Sequence, residues 1–312
     1  MQRKQIGDYL VYLAIRVLIC IVQAMPIDTG RSVARWLAWL FCNVLRIRAD
    51  VVDENLAHAF AELSSTERRR LTRRMWEHLF LLVLEVVHAP RKIHETNWRH
   101  YISLRDEDRL VRLLLSDRPT LIITAHFGNF EVAGFVLAIL GFPTYTVART
   151  LDNVCLDRFL NRFRGSTGQH MIPKKGGYDQ IVDVLARGET MTFLADQSAG
   201  RKGCWVEFFG RPASAHKAIA LLALDNEAPM AVCGARRVGP PLHIELATPA
   251  TIDPLDAGDP HESGSPIESI HSLTQWYTAR LEEIIRNEPG QYWWLHRRWK
   301  DNRKARRKKR AA

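Results

Sequence analysis

Short apolar runs rich in β-branched residues alternate with longer amphipathic stretches through the middle of this chain. Runs of about four to eight such residues are typical of buried strands, and longer stretches with apolar positions every three to four residues are typical of helices. The pattern predicts strands at 119–125, 145–148, 171–172, 191–195, 228–235 and 243–247, and helices at 130–140, 152–163, 178–186 and 216–224. Strands and helices that alternate at this short spacing predict an α/β fold with a mostly parallel central sheet flanked by helices.

Two further helices are predicted outside the alternating region. One should begin near Thr66, because either Ser64 or Ser65 can cap a helix there. The other is predicted near 267–287, after a loop at 253–266 that is rich in Pro, Gly, Asp and Ser. No internal repeat is apparent, so one α/β unit accounts for this part of the chain.

The N-terminal segment differs in composition from the rest. Residues 9–25 are apolar except for Arg16 and Gln23, and their number lies at the short end of the ~17–25 residues that span a bilayer. The segment fits a spanning helix, an interfacial helix or a cleaved signal peptide, and Arg16 disfavours the last of these. Residues 36–45 add two tryptophans suited to a membrane interface. A pair of buried helices in a soluble domain is the alternative to membrane attachment.

These patterns predict a chain in three parts: a membrane-anchoring segment at 1–48, a folded domain at 49–302 and a basic tail at 303–312. The net charge of +10 favours an anionic partner, which could be nucleic acid, acidic lipid headgroups or an acidic carrier protein. The five cysteines are scattered and form no Cys-x-x-Cys pair, which disfavours a disulfide framework or a zinc site and favours a reducing compartment.

The candidate chemistry follows the predicted strand at 119–125, in the segment His126-Phe-Gly-Asn-Phe-Glu131. In an open parallel sheet, ligands bind beyond the carboxyl ends of the strands. Residues five apart on one helix point about 140° apart, so His126 and Glu131 can meet only if a turn at Gly128 separates them. A carboxylate on one imidazole nitrogen then leaves the other nitrogen as a base toward a hydroxyl.

Direct attack by an acceptor hydroxyl is the simpler scheme, because no Ser or Cys lies next to this histidine and carboxylate. The spacing alone is also compatible with a histidine that serves only packing. No metal site is predicted, because no second histidine stands at helical ligand spacing.

The segment at 126–131 resembles the His-x4-Asp/Glu motif of the bacterial lipid A acyltransferases, the lauroyl and myristoyl transferases of lipopolysaccharide assembly. Further stretches that resemble the same family, in the same order, are 147–153, 160–165, 172–177, 194–197, 208–213 and 289–300. Together they cover nearly the whole chain, which makes the resemblance specific although the motif alone is weak.

The resemblance implies a glycerolipid acyltransferase-like fold with an N-terminal membrane-anchoring helix and an acyltransferase domain at 49–302. It implies an enzyme at the inner membrane with its catalytic domain on the cytoplasmic side. The basic tail is compatible with attraction to the anionic lipids of that membrane. The expected donor is an acyl carrier protein thioester, the expected acceptor is a hydroxyl of a Kdo-bearing lipid A precursor, and no cofactor is expected.

The same resemblance implies roles for individual residues. His126 is expected to be the general base, Glu131 its partner, and Arg164 the group that holds phosphate or stabilises the thioester oxyanion. The expected substrate-binding residues are Arg149, Asn129, Asp196, Gln197, Arg297 and Arg298. Of these, Arg149 is the candidate for holding a phosphorylated sugar.

Two alternatives remain. Enzymes that acylate other glycolipids, such as phosphatidylinositol mannosides, carry a similar motif. A non-catalytic membrane-surface or nucleic-acid-binding protein would also be basic and rich in tryptophan. We predict no nucleic-acid partner, because the sequence has no recognisable reader element and no strands that interleave aromatic and basic residues.

Overall fold

The computed structural model describes residues 3–255 and 269–299; the predicted basic tail at 303–312 and most of the predicted loop at 253–266 lie outside them. The helices are α1 Arg3–Ala24, α2 Ile27–Trp39, α3 Ala49–Ala59, α4 Ser65–Lys92, α5 Glu107–Leu114, α6 Phe130–Ile139, α7 Val154–Gly165, α8 Tyr178–Ala186, α9 Lys217–Asp225 and α10 Ile270–Asn287. The strands are β1 Ile102–Arg105, β2 Thr120–Thr124, β3 Thr144–Ala148, β4 Gln169–Pro173, β5 Thr190–Leu194, β6 Cys204–Phe208, β7 Arg211–Ala215, β8 Met230–Arg237 and β9 Ile244–Ile252.

Seven strands form the central sheet in the order β1-β9-β8-β2-β5-β3-β4, and β6 and β7 form a separate antiparallel hairpin. Strands β8, β2, β5, β3 and β4 are parallel to one another. Strand β9 runs antiparallel to β8, and β1 runs parallel to β9. The prediction of a mostly parallel central sheet flanked by helices is confirmed.

The strand before the His126 segment occupies the middle of this sheet. Strand β2 has β8 on one side and β5 on the other, and Leu121, Ile122 and Ile123 are all buried. A parallel strand covered on both faces needs apolar side chains at successive positions, and the sequence Thr-Leu-Ile-Ile-Thr supplies them. Because β2 is held by a neighbouring strand on each side, its carboxyl end gives the residues that follow it a well-defined position.

Most predicted elements lie where the pattern placed them. The helix predicted near Thr66 begins one residue earlier, and Ser64 forms its capping box with Glu67. Strand β1 and the β6–β7 hairpin were not predicted. Strand β1 has only four residues, and the hairpin strands mix polar and apolar side chains because only part of their surface is buried.

Helix α1 is not buried in the protein. Residues 5–24 are long and apolar enough to cross a membrane, and none of that stretch is buried inside the fold. The helix is fastened by a few contacts: the side-chain amide of Gln23 donates to the Val87 carbonyl at 3.0 Å, and that of Asn153 donates to the Asp8 carbonyl at 2.8 Å. The alternative of a buried helix pair in a soluble domain is therefore wrong for α1, and the boundary at residue 48 stays a prediction.

Candidate functional site

A cavity of about 580 Å³ opens at the carboxyl ends of β2, β3, β4 and β5. Its acidic and basic lining residues are His126, Glu131, Arg149, Arg164, Lys174 and His216. Its inner end is mostly apolar and is lined by Leu110, Ile122, Leu137, Cys233, Leu246 and Thr248. Ligand pockets of about 300–1,000 Å³ that combine apolar walls with a few polar groups are typical binding sites for small molecules and lipid chains.

His126 pairs with Asp196 at the mouth of this cavity. Strands β2 and β5 are neighbours with Thr124 opposite Leu194, so the residues two positions beyond each strand end lie side by side. The Nδ1 atom of His126 is 2.8 Å from Oδ1 of Asp196, whose side chain is fully buried while that of His126 is 20% exposed. The pair is thus a product of strand pairing rather than of proximity in sequence.

The interaction between the two groups raises the pKa of His126 and lowers the pKa of Asp196. Burial alone would lower the pKa of His126, but the charge and hydrogen bond of Asp196, with a smaller contribution from the charge of Glu131, raise it above its ordinary value. Burial alone would raise the pKa of Asp196, but the interaction with His126 outweighs it and lowers that pKa far below the usual range. Asp196 is therefore ionised at neutral pH and accepts the Nδ1–H of His126.

The remaining ring nitrogen is the reactive one. With Nδ1 protonated and bound to Asp196, the Nε2 atom of neutral His126 carries the lone pair. No hydrogen-bond partner for Nε2 is found among the residues that the structure describes, and the rings of Phe130 and Trp293 lie beside the imidazole. A histidine held in this way can accept a proton from a hydroxyl placed in the cavity.

Glu131 is not the group that contacts His126, which corrects the predicted pairing. Both oxygens of Glu131 are bound by Arg164, one at 3.1 Å from its Nε atom and the other by a short contact to Nη2. Glu131 is the second residue of α6, so its side chain points across the cavity toward α7, which carries Arg164. Its influence on His126 is limited to its charge.

The C-terminal segment, residues 289–299, holds the His126 turn in place together with strand β8. Gly128 has φ of +56°, and a Cβ there would lie 1.7 Å from the Ala235 carbonyl oxygen, so only glycine fits. The Gly128 amide donates to the Gln291 carbonyl at 2.9 Å, and the Trp293 amide donates to the His126 carbonyl at 3.0 Å. The bend predicted at Gly128 is present, but it directs His126 toward Asp196.

Asn129 supports the turn from behind and does not line the cavity, which corrects its predicted role in substrate binding. Its side-chain oxygen accepts from the Val132 amide at 3.1 Å and caps α6, and its Nδ2 donates to the buried carboxylate of Glu85 at 2.7 Å. The same carboxylate is bound by Arg237 and by the Leu242 amide at 3.0 Å. Neither Glu85 nor Arg237 was singled out from the sequence.

His78 completes this buried cluster. Arg237 can only donate, so its Nη1, 2.8 Å from Nδ1 of His78, makes Nδ1 an acceptor and leaves the proton on Nε2. That Nε2–H donates to the Gly128 carbonyl at 3.2 Å. Burial, followed by the charge of Arg237, lowers the pKa of His78 well below its ordinary value, so this imidazole stays neutral.

The other predicted substrate-binding residues divide into two groups. Arg149 and Gln197 line the cavity, and their role in substrate binding stays a prediction. Asp196 is buried behind His126 and acts on it rather than facing the cavity. Arg297 is exposed but is not part of the cavity lining.

The position of Arg298 does not match its predicted role in substrate binding. It is only 2% exposed, its Nη1 donates to the Ser214 carbonyl at 2.6 Å, and its guanidinium lies over the ring of Phe208. Burial lowers the pKa of this guanidinium. Arg298 therefore anchors the C-terminal segment inside the fold.

Lys174 and His216 also line the cavity, although the sequence had not marked either as a site residue. Lys174 follows β4 and His216 precedes α9, so both lie at the edge where ligands bind in parallel sheets. The end of a predicted strand was the available signal for Lys174. Among the described residues, no group of three or more His, Cys, Asp or Glu is arranged to hold a metal ion.

Comparisons with known proteins show the family of this chain. Residues 2–301 match the family described as bacterial lipid A biosynthesis acyltransferase. The chain is 24% identical over 298 residues to a lipid A biosynthesis lauroyltransferase of Escherichia coli (strain K12), covering 94% of this chain and 92% of the relative. It is 24% identical to the palmitoleoyltransferase of the same organism, covering 82% and 80%.

Two further similarities are more limited. A phosphatidylinositol mannoside acyltransferase of Mycolicibacterium smegmatis (strain ATCC 700084 / mc(2)155) is 30% identical over 131 residues, which is 41% of this chain and 43% of that protein. The solved structure of the 1-acyl-sn-glycerophosphate acyltransferase PlsC from Thermotoga maritima covers 84% of this chain and 99% of that one, at 11% identity and a TM-score of 0.38. Because the family match spans nearly the whole chain, this protein belongs to the bacterial lipid A biosynthesis acyltransferases and is an acyltransferase of lipid A type.

Proposed function

We propose that this enzyme moves a fatty acyl chain from an acyl carrier protein thioester to a hydroxyl of a Kdo-bearing lipid A precursor, with His126 as general base. The observation that carries the proposal is the hydrogen bond between His126 and Asp196 at the mouth of a cavity with an apolar inner end. The family match supports an acyl donor and a lipid acceptor, and the identities of both are part of the proposal.

The reaction needs one base and no covalent enzyme intermediate. The Nε2 atom of His126 takes the proton from the acceptor hydroxyl while its oxygen attacks the thioester carbonyl carbon. Asp196 stabilises the imidazolium that forms, as a buried carboxylate does in other histidine-dependent enzymes. The carbon–sulfur bond then breaks, the ester remains on the acceptor, and the departing thiolate takes the proton from His126.

Glu131 and Arg164 form the wall of the cavity in this scheme. Two of the guanidinium nitrogens of Arg164 are bound to Glu131, and the third, Nη1, lies 3.8 Å from the sulfur of Met171. We assign Nη1 as the part of Arg164 available to a phosphate or to the thioester oxyanion. Glu131 holds the guanidinium in place and adds negative charge near His126.

The acyl chain is proposed to occupy the inner end of the cavity, between the sheet and helices α5 and α6. Leu110, Ile122 and Leu137 present hydrocarbon surface there, and burial of a methylene chain against such surface is favourable by about 0.8 kcal/mol per CH₂. The carboxyl end of the chain would then lie toward His126. Helix α1 is proposed to anchor the enzyme in the inner membrane with the cavity on the cytoplasmic side.

The test is acyl transfer by the full-length protein purified in detergent. We expect His126→Ala to lower the rate about 10³-fold, within the range for loss of a general base, with the circular dichroism spectrum unchanged. The matched control is His100→Ala, because His100 is exposed and lies outside the cavity. A His126→Ala rate within a few-fold of wild type would reject the mechanism.

The acceptor is identified separately. Mass spectrometry of lipid A from cells that lack and then regain the protein should show one acyl chain lost and restored. The similarity to a phosphatidylinositol mannoside acyltransferase over 131 residues favours a second candidate acceptor. Transfer to phosphatidylinositol mannoside, without transfer to a Kdo-bearing precursor, would replace the proposed acceptor with that one.

A further inference from the structure

The C-terminal segment contacts both residues of the His126–Asp196 pair through their main chains. The Trp293 amide donates to the His126 carbonyl at 3.0 Å, and the Nε2 atom of His296 lies 3.2 Å from the Asp196 carbonyl oxygen. His126 follows β2 and Asp196 follows β5, so the two contacts lie at the ends of neighbouring strands. One short segment therefore ties together the two strand ends that carry the pair.

The contact of His296 fixes which of its ring nitrogens carries the proton. A carbonyl oxygen can only accept a hydrogen bond, so the Nε2 atom of His296 must be the donor. Burial, which outweighs the opposing charge of Asp196, lowers the pKa of His296. The imidazole of His296 is therefore neutral at neutral pH, with its proton on Nε2, and donates to the Asp196 carbonyl without carrying a charge.

His296 is itself held from behind by helix α3. The Nδ2 atom of Asn55, a buried residue, donates to the main-chain carbonyls of Trp294 and His296 at 2.8 and 2.7 Å. His296 is not part of the cavity lining, and its Nε2 atom is bound to the Asp196 carbonyl. It therefore acts on the reaction through Asp196 and not by contact with a substrate.

We propose that His296 is a positioning residue that holds Asp196 at hydrogen-bonding distance from His126. The proposal rests on the proposed function for the role of this pair in acyl transfer. Asp196 is buried, so loss of the His296 donor would leave its carbonyl without a partner, and the peptide unit would turn toward another donor. Such a turn moves the carboxylate away from Nδ1 of His126, which weakens the stabilisation of the imidazolium that forms in the reaction.

Kinetic measurements with His296→Phe test the proposal. We expect kcat to fall about tenfold, the effect of one lost hydrogen bond to a buried carbonyl, with KM nearly unchanged because His296 contacts no substrate. His296→Gln should restore most of the rate, because its side-chain amide can donate to the same carbonyl. If His296→Phe does not fold, His296→Asn takes its place, because the shorter amide does not reach that carbonyl.

The matched control is His271→Phe. The Nε2 atom of exposed His271 also lies 3.2 Å from a main-chain carbonyl oxygen, that of Trp205, and His271 is not part of the cavity lining. Its kcat should equal that of wild type. A loss of kcat in His271→Phe as large as that in His296→Phe would overturn the proposal.

A pH profile separates positioning from a general loss of stability. The charge and hydrogen bond of Asp196 raise the pKa of His126. In His296→Phe the carboxylate moves away, so the pKa of His126 should fall and the acidic limb of the kcat/KM profile should move to lower pH. A variant that only unfolds more easily keeps the position of that limb. An unchanged acidic limb in His296→Phe, or equal losses of kcat in His296→Phe and His296→Gln, would overturn the proposal.

A modification experiment keeps this test separate from the proposed function. Diethyl pyrocarbonate reacts with neutral imidazole, so the pH dependence of its reaction with His126, followed by mass spectrometry of the full-length protein, reports the pKa of His126 without any substrate. We expect this pKa to be lower in His296→Phe than in wild type and unchanged in His271→Phe. A lowered pKa in a protein without acyl transfer would support the role of His296 and reject the proposed function. Acyl transfer with the same pKa in all three proteins would reject the role of His296 alone.

Discussion

Two histidines meet at one turn, His126 within it and His78 packed against it from α4, and their surroundings have opposite effects on their protonation. His126 begins the turn, faces the cavity and has a carboxylate on one nitrogen only. His78 donates to the turn at the Gly128 carbonyl, is buried, and has a cation on its other nitrogen. The charge beside each ring decides its protonation: Asp196 raises the pKa of His126, and burial with Arg237 lowers that of His78.

This difference distinguishes a histidine that takes part in the reaction from one that supports the turn. A catalytic imidazole must change its protonation state during the reaction and needs a partner that tolerates both states. A supporting imidazole beside a fixed guanidinium can keep its hydrogen bonds in only one state. Substitutions on the cavity side, at His126 and Asp196, should therefore lower the reaction rate. Substitutions on the buried side, at His78, Glu85 and Arg237, should lower the stability of the fold.

The largest expected effect is on the buried side. In Glu85→Gln, the buried guanidinium of Arg237 loses its counter-charge, and removal of one partner from a buried ion pair costs about 3–5 kcal/mol. Unfolding of the detergent-solubilised protein by heat and denaturant measures the loss. Glu245→Gln is the control, because it breaks the partly exposed pair with Arg236 and should cost about 0–1 kcal/mol. Equal losses in the two variants would contradict the assigned role of Glu85.

The next effect is on the cavity side. Asp196→Asn should lower kcat about 10²-fold or more, because the imidazole loses its stabilising charge and its fixed tautomer. The pKa of His126 should also fall, since burial then acts without the opposing charge, and the acidic limb of the kcat/KM profile should move to lower pH. Asp152→Asn, at an exposed carboxylate, is the control.

Glu131→Gln tests which of the two carboxylates, Glu131 or Asp196, contributes more to the function of His126. Glu131 influences His126 through its charge alone and binds Arg164, so we expect a smaller loss of rate than in Asp196→Asn. The measurement is kcat for both variants under identical conditions. A larger loss in Glu131→Gln would restore Glu131 as the main partner of His126.

The sequence supports the prediction of the parallel sheet and the position of His126 after β2, because these depend on local patterns. The identity of its partner depends on strand order. Strand β5 inserts between β2 and β3, which brings Asp196 next to His126, and no local pattern in the chain encodes that insertion. Glu131 was the carboxylate nearest in sequence, and for that reason the predicted pair was wrong.

The buried cluster of Glu85, Arg237 and His78 could not be predicted either, because it also depends on contacts between distant parts of the chain. Glu85 and His78 lie on α4, far before the turn in sequence, and their residue types are ordinary for a helix surface. Only the packing of α4 against the turn reveals that they are buried and bound to Arg237. The contact between His296 and Asp196 likewise depends on how the C-terminal segment packs against the end of β5.

A fourth effect, smaller than those expected at Glu85 and Asp196, contrasts two leucines of α5. Leu110 lines the inner end of the cavity, whereas Leu113 packs in the same apolar cluster outside the lining. Leu110→Phe should shorten the accepted acyl chain and lower kcat/KM for the longest accepted donor about tenfold, near the lower end of the discrimination expected per methylene. Leu113→Phe should leave the order of chain-length preference unchanged. A shift of equal size in both would show that the inner end does not set chain length.

The smallest expected effect is the response of stability to acid. The folded state holds the pKa of His78 well below the unfolded value near 6.5, so the unfolded chain binds the proton more readily and stability falls as pH drops below about 6.5. His126 acts in the opposite direction, because its folded pKa is raised and its contribution to stability is full at low pH and lost as pH rises through that pKa. Between pH 7.5 and 5.5, His78→Gln should therefore lose about 1 kcal/mol less stability than wild type, and His126→Gln should lose more than wild type. Apparent melting temperatures of wild type and the two variants at both pH values measure these differences in stability. Equal changes in melting temperature in all three proteins would show that the pKa values of the two imidazoles are not shifted in opposite directions.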